Sequence, residues 1–243
     1  MSGDFAFPDA RLLIFAKAPI PGRVKTRLAG RLGTRGAARL YRQLLCRTLA
    51  LARAARLCPV ELWCAPDGRH GFFAACRQKY GVRLRRQCAG DLGKRMSHAF
   101  NRASTENGYA VLIGSDCASV GTTELRTAFD HLAAGRDAVL GPAADGGYVL
   151  VGLRRPCLSL FRGIAWSTPT VLAATRRRLR QAGLDWAELP IGWDVDTPAD
   201  LRRLRRSEKL SIRIPHPQDD RNFGMNPQIE GSATSVPPKY SVV

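Results

Sequence analysis

Residues 109–113, Tyr-Ala-Val-Leu-Ile, are followed at once by Gly114, Ser115 and Asp116. The run is too short for a buried helix and rich in β-branched and aromatic side chains, which predicts a strand covered on both faces. Such strands belong to sheets with helices on either side, so this one stretch directs the chain to the layered α/β class. Gly114 and Ser115 let the backbone leave the sheet. Asp116 is therefore expected just past a strand's carboxyl end, where open α/β sheets place their ligands and a hard oxygen can hold Mg²⁺ or Mn²⁺ against a diphosphate. An aspartate there can also do no more than cap the following turn.

The rest of the chain repeats the pattern. Residues 11–16, 59–65, 82–87, 138–141, 148–153 and 184–191 read as strands, and the arginines of 82–87 suggest a sheet edge. Thr34 can cap a helix to about Leu57, with Leu40, Leu44, Thr48, Leu51 and Ala55 on one face. Further helices are expected over 70–80 and 91–103 and from Thr122 or Thr123. Ser167 and Pro169 read as a cap and first-turn pair for a helix to near Gly183. Thr197, Pro198 and Asp200 suit the start of a last helix as cap, first position and acidic capping-box member. This alternation implies right-handed β-α-β crossovers and a mainly parallel, Rossmann-like three-layer αβα sandwich over residues 1–206. From Ser207 to Val243 the pattern stops, which predicts a flexible tail whose removal leaves the melting temperature within a few degrees.

The formal net charge is +18 over 243 residues, and nearly all of the positive charge is arginine. No aromatic residue interleaves the basic runs 176–180 and 202–206, so platforms for stacking bases are missing and a nucleic-acid partner is disfavoured. Seven cysteines form an odd set without a C-x-x-C pair, which signals neither a disulfide framework nor a zinc site. None of His70, His98, His131 and His216 stands in a metal spacing or beside a plausible nucleophile, so serine or cysteine hydrolysis is disfavoured. The chain has no apolar run long enough to span a bilayer and no basic region leading into an apolar segment at its start, which predicts a cytoplasmic protein.

Four places carry candidate chemistry. The segment K-A-P-I-P-G-R-V-K-T-R-L, 17–28, directly follows the first expected strand and so lies on the same edge as Asp116. Gly22 permits close backbone approach, and Lys17, Arg23, Lys25 and Arg27 offer charge and donors suited to a diphosphate. The spacing is that of neither G-x-G-x-x-G nor a Walker A loop. In G-W-D-V-D-T-P-A-D, Asp194 and Asp196 stand two apart before a helix, so one can join Asp116 on a metal, or both can merely favour the helix's positive end. Asp145, with Gly146 and Gly147, lies between two strands where its carboxylate can take a hydroxyl's proton or hold a sugar hydroxyl; turn chemistry explains the same residues. Gln87, Asp91 and Arg95 can read a base or ribose, although Asp91 also suits a helix N-cap.

Taken together, K-A-P-I-P-G-R-V-K-T-R-L, G-D-L-G-K-R-M, G-S-D-C, G-P-A-A-D-G-G-Y-V-L-V-G, W-S-T and D-V-D-T-P-A-D-L resemble a bacterial family of GT-A-type glycosyltransferases, one branch of which is associated with arsenosugar biosynthesis. The resemblance runs from about Arg11 to Leu204. It implies a metal-dependent nucleotide-diphospho-sugar transferase fold, with Asp116 as the metal aspartate and Asp196, with Asp194, as its partner. Ala118 and Ser119 stand where the family usually has proline and aspartate, and Arg47 and Lys94 where acids are common.

Three functions remain. The first is sugar transfer from a nucleotide-sugar to a small-molecule acceptor, with Mg²⁺ or Mn²⁺ on Asp116 and Asp196, Lys25 and Arg23 neutralising the leaving group, and Asp145 serving the acceptor. The second is a nucleotidyltransferase in which the same loop cradles a nucleoside triphosphate. The third is an impaired nucleotide-binding or nucleic-acid-associated protein.

Overall fold

A computed structural model of the protein describes residues 5–106, 108–207 and 212–215. The strands are β1 (Arg11–Lys17), β2 (Val60–Ala65), β3 (Arg83–Arg86), β4 (Ala110–Gly114), β5 (Ala138–Pro142), β6 (Tyr148–Leu153) and β7 (Trp186–Glu188). Between and after them lie α1 (Ala29–Ala55), α2 (Gly71–Tyr80), α3 (Leu92–Glu106), α4 (Thr122–Ala133), α5 (Val171–Gln181) and α6 (Pro198–Arg206), with 3₁₀ turns at Thr26–Leu28 and Leu158–Phe161. One sheet takes the order β3-β2-β1-β4-β6-β5-β7, parallel throughout except for β6, which runs against both β4 and β5.

Alternation along the central strands builds the three layers. Leu12 and Ile14 of β1 and Val111 and Ile113 of β4 face α1, α2 and α4, where Leu45, Leu49, Phe73 and Phe129 complete one core. Leu13, Phe15 and Leu112 face α3 and α5, meeting Met96, Phe100, Val171 and Leu179. Both faces are apolar because both are covered, as the run 109–113 required. The chain leaves β1 towards β2 and β3 on one side and returns to β4 on the other, so the carboxyl ends of β1 and β4 flank a topological switch point.

Several boundaries differ from expectation for local reasons. The first helical element begins before Thr34, but Gly33 breaks it with φ 69° and ψ 164°, so a straight helix does start near Thr34. The helix expected from Ser167 and Pro169 starts only at Val171, after Thr170, and Ser167 takes a left-handed φ of 68°. Residues 167–170 instead close on the β5–β6 turn: Leu172 N–H donates to the Gly146 carbonyl at 2.9 Å. A Cβ on Gly146, whose φ is 87°, would lie 2.2 Å from the Pro169 oxygen, so only glycine fits. The strand expected over 184–191 pairs only at Trp186–Glu188, after which Gly192 bridges Ala143. His70 caps α2 through Nδ1, and Thr197 with Asp200 forms the expected capping box on α6.

Most of the expected tail lies outside the described residues. Of the part that is described, Ile212 and Ile214 pack on the cluster of Leu28, Leu32, Leu201 and Leu204, and the Arg213 carbonyl accepts Gln43 Nε2–H at 2.8 Å. Truncation after Arg206 is therefore expected to cost about 2 kcal/mol for two half-buried isoleucines. That is a melting temperature lower by about 4–8 °C, not an unchanged one. Calorimetry of the truncated and full chains measures it; equal melting temperatures would make this docking energetically idle.

Candidate active site

The short connections after β1 and β4 and the segment after β7 converge at the switch point. β1 and β4 are in register to Phe15 and Gly114, so Lys17 and Asp116 leave adjacent strand ends. Tyr41, buried on α1, ties the two ends together: its Oη accepts the Lys17 backbone N–H and the Ser115 hydroxyl, each at 2.8 Å. The cationic loop turns at Gly22, whose φ is 77°, with Arg23 N–H donating to the Ile20 carbonyl at 3.0 Å. It then folds inward, because the buried side chains of Val24 and Leu28 anchor it. Lys25 takes a left-handed φ of 48° between those anchors.

Lys25 is the hub. Its side chain is 3% exposed, and Nζ is paired with Asp116 Oδ2 and lies 3.7 Å from Asp196 Oδ1. Arg27 reaches the other oxygen of Asp196 at 2.7 Å. Burial alone would lower the Lys25 pKa, but Asp116, Asp196 and Asp194 together raise it, so the ammonium stays charged. Asp194 is pushed up to about 7, first by burial and then by repulsion from Asp116. Lys17, exposed by accessible area yet crowded by packed atoms, has its pKa lowered by desolvation and by Arg95 and Lys25, against the pull of Asp116. Its ammonium makes no hydrogen bond or salt bridge among the described residues.

The pair Asp194 and Asp196 is held to Asp116 by backbone bonds. Val195 N–H donates to the Asp116 carbonyl at 3.2 Å, and Ser119 Oγ both accepts the Trp193 N–H at 2.7 Å and donates to the Trp193 carbonyl at 2.9 Å. Ser119 thus staples the two acidic segments. Ala118 packs with Leu28, Leu32 and Val195, so the two departures from the family pattern at 118 and 119 are absorbed into the local packing and hydrogen bonding. Ser119→Ala is expected to lower stability by about 1–2 kcal/mol, with Ser119→Thr retaining it. Denaturant titration checks this, and an unaltered Ser119→Ala protein would make the staple energetically idle.

The other sequence candidates are placed as follows. Asp145 is exposed on the β5–β6 turn, accepts the Gly147 N–H at 3.0 Å, and acts electrostatically on Asp194. Gly146 serves the close approach to Pro169 described above. Gln87 is buried, its amide donating to the Ala16 and Trp63 carbonyls at 3.3 and 2.8 Å, so it braces β1 and β2 rather than facing a base. Its Oε1 accepts Arg95 Nη1–H at 3.3 Å. Asp91 caps α3, accepting the Lys94 N–H at 2.8 Å. Arg95 therefore remains the group of this trio that joins the cationic set beside Lys17. Asp116 lies just past the carboxyl end of β4 as expected, and its side chain is only 15% exposed, because Lys25 covers it. Tyr41 and Ser119 were not among the sequence candidates: Tyr41 shares the apolar face of a long helix and Ser119 lies in an ordinary loop, and nothing local marks either.

For a hard divalent cation the donor chemistry of Asp116, Asp194 and Asp196 fits, since all three offer carboxylate oxygens and repel one another without added positive charge. As they stand, no three acidic, histidine or cysteine side chains among the described residues are in ligating geometry. The Lys25 ammonium occupies the approach between Asp116 and Asp196.

No helix among the described residues is long and apolar enough to cross a membrane. No curated protein matches the chain. Among solved structures, a Desulfovibrio desulfuricans protein carrying the provisional name nucleotide-diphospho-sugar transferase is 34% identical, with 84% of this chain and 89% of that one covered and a TM-score of 0.75. A CMP:2-keto-3-deoxy-manno-octonic acid synthetase solved with CTP shares the fold at 14% identity, TM-score 0.51, with 81% and 97% covered. So does a 4-diphosphocytidyl-2C-methyl-D-erythritol synthase of Anaerococcus prevotii at 9% identity, TM-score 0.53, with 82% and 99% covered. The expected nucleotide-diphospho-sugar transferase fold is thereby established. A family model also matches residues 48–168, which include β4 and Asp116. With that match and a relative one-third identical over most of both lengths, the chain belongs to the bacterial family described as "Uncharacterized protein conserved in bacteria (DUF2064)".

Proposed function

We propose that the protein is a transferase working at the diphosphate of a nucleotide-sugar, moving the sugar to a small acceptor. One observation carries this reading: three aspartates and a buried lysine meet at the switch point, beside the further cations Lys17, Arg95 and Arg27. That arrangement suits a group whose negative charge grows as a bond to phosphate oxygen breaks. Lys17, Lys25 and Arg23 neutralise the leaving diphosphate, and Arg95, braced by Gln87 and Asp91, orients it. Asp116 and Asp196, with Asp194, would hold Mg²⁺ or Mn²⁺. When bound, such an ion would supply positive charge to the diphosphate and relieve the repulsion from Asp116 that, after burial, raises the Asp194 pKa. Asp145, exposed at the rim, takes or orients the acceptor's hydroxyl proton. The similarity to the Desulfovibrio protein, in its provisional name, supports sugar transfer.

A second reading has its own support. The cationic loop follows β1 directly at the switch point, where it can cradle a triphosphate while a phosphorylated acceptor attacks the α-phosphorus. Two proteins of the same fold carry names of cytidylyl-transferring enzymes. The products separate the readings. Incubation with nucleoside triphosphates and nucleotide-sugars, plus Mg²⁺ or Mn²⁺ and candidate acceptors, is expected to release nucleoside diphosphate from a nucleotide-sugar. Pyrophosphate release from a triphosphate would replace the first reading by the second.

A further inference from the structure

We infer that Lys25 is a resident counter-ion of the three aspartates, which an incoming diphosphate draws away, so that metal and nucleotide bind as a coupled pair rather than independently. The inference rests on the reading of Asp116, Asp194 and Asp196 as the metal ligands.

Geometry supports it first. The Lys25 ammonium bridges Asp116 and Asp196, occupying the approach that a cation shared by those carboxylates would use. Two positive species cannot share that place, so either the metal is excluded or the lysine leaves. Withdrawal of Lys25 would leave Arg27, on Asp196, as the remaining direct ion pair of these acids among the described residues. A divalent ion then replaces more charge than was lost.

The backbone around Lys25 is fixed, so the side chain must move. Lys25 carries a left-handed φ of 48°, a conformation that a non-glycine residue keeps only when its surroundings impose it. Leu28 N–H donates to the Lys25 carbonyl at 2.9 Å, and Leu28 and Leu32 are 0% and 1% exposed. The anchored turn leaves the four-carbon stem as the flexible part. Lys17 and Arg95 crowd the same mouth with like charge. An anion bound there gains a third partner if Lys25 turns from Asp116 towards it. Each ligand then improves the site for the other, by the same factor in both directions.

Lys25→Met removes the ammonium while keeping the stem. In equilibrium dialysis without any phosphate, the variant is expected to bind Mn²⁺ about tenfold more tightly than the wild type, a size of coupling common between linked sites. Inorganic pyrophosphate, tested without metal, is expected to bind the variant more weakly. Equal Mn²⁺ affinity in the two proteins would overturn the inference while leaving the metal reading intact. No Mn²⁺ on either protein, with or without pyrophosphate, would remove both. Circular dichroism establishes that the variant is folded. Should it not fold, the wild type carries the test through its lysine ammonium ¹⁵N signals, with Lys25 assigned by its loss in Lys25→Arg. That signal is expected to shift when Mg²⁺ and pyrophosphate are added together, and a signal that stays in place overturns the inference.

Discussion

Asp116→Asn is expected to abolish the proposed metal-dependent nucleotide binding while the fold survives. The substitution keeps the shape of the side chain but removes the charge that Lys25 and a divalent ion would both use. Because Asp116 is largely covered by Lys25, some stability goes with it. The cost is expected near 1–2 kcal/mol, below the roughly 3–5 kcal/mol of a fully broken buried pair, since Asp196 stays 3.7 Å from the same ammonium. The substitution also removes one cause of the raised Asp194 pKa, which should fall from about 7 in a carboxyl NMR titration. The sign of the pH effect follows. A carboxyl whose folded pKa lies above its ordinary 3.8 holds its proton longer in the folded state, so its contribution to stability is lost as pH rises from about 4 through 7. Asp116→Asn should flatten that loss. Unchanged metal and nucleotide binding by calorimetry would make Asp116 structural and remove the centre of the proposed site.

Lys25→Ala should weaken nucleotide binding by roughly 1.5–3 kcal/mol, the range for a charge-assisted hydrogen bond, or about 10- to 150-fold in Kd. The control must be an arginine whose loss disturbs nothing else. Arg178 is unsuitable, because its guanidinium holds the Ser159 carbonyl at 2.6 Å. Arg177 and Arg180 on the exposed face of α5 are better, and replacing both should leave nucleotide affinity nearly unchanged. If the basicity served nucleic acid instead, the α5 substitutions would lower duplex affinity and flatten its salt dependence, because each lost phosphate contact reduces counterion release. Equal small effects of both sets on nucleotide binding would leave the loop without a phosphate clamp.

Local pattern determined most of the fold. A strand covered on both faces must read apolar at every position, and 109–113 does, so β4 lay in the middle of a sheet before any contact was known. The Thr197–Asp200 cap and the arginine-bearing edge strand β3 were legible for the same reason, because each depends on neighbours in sequence. The antiparallel insertion of β6 between β4 and β5 was not, since strand order is set by which edges meet and a period of two is the same in either direction. Nor was the late start of α5, where a favourable cap signal at Ser167 yielded to the close contact of Pro169 with Gly146.

The site divides along the same line. Residue type and place in the pattern, after a strand for Asp116 and Lys25 and before a helix for Asp194 and Asp196, singled these four out as candidates, since open α/β sheets place ligands at the carboxyl ends of their strands. Only the tertiary structure decided that Lys25 lies between the acids, that Gln87 spends its amide on two backbone carbonyls, and that Tyr41 and Ser119 hold the pieces together. Each of those depends on contacts between segments far apart in the chain. A buried hydrogen bond or ion pair is specified by where two surfaces meet in space, and a one-dimensional pattern carries only the half that belongs to each surface.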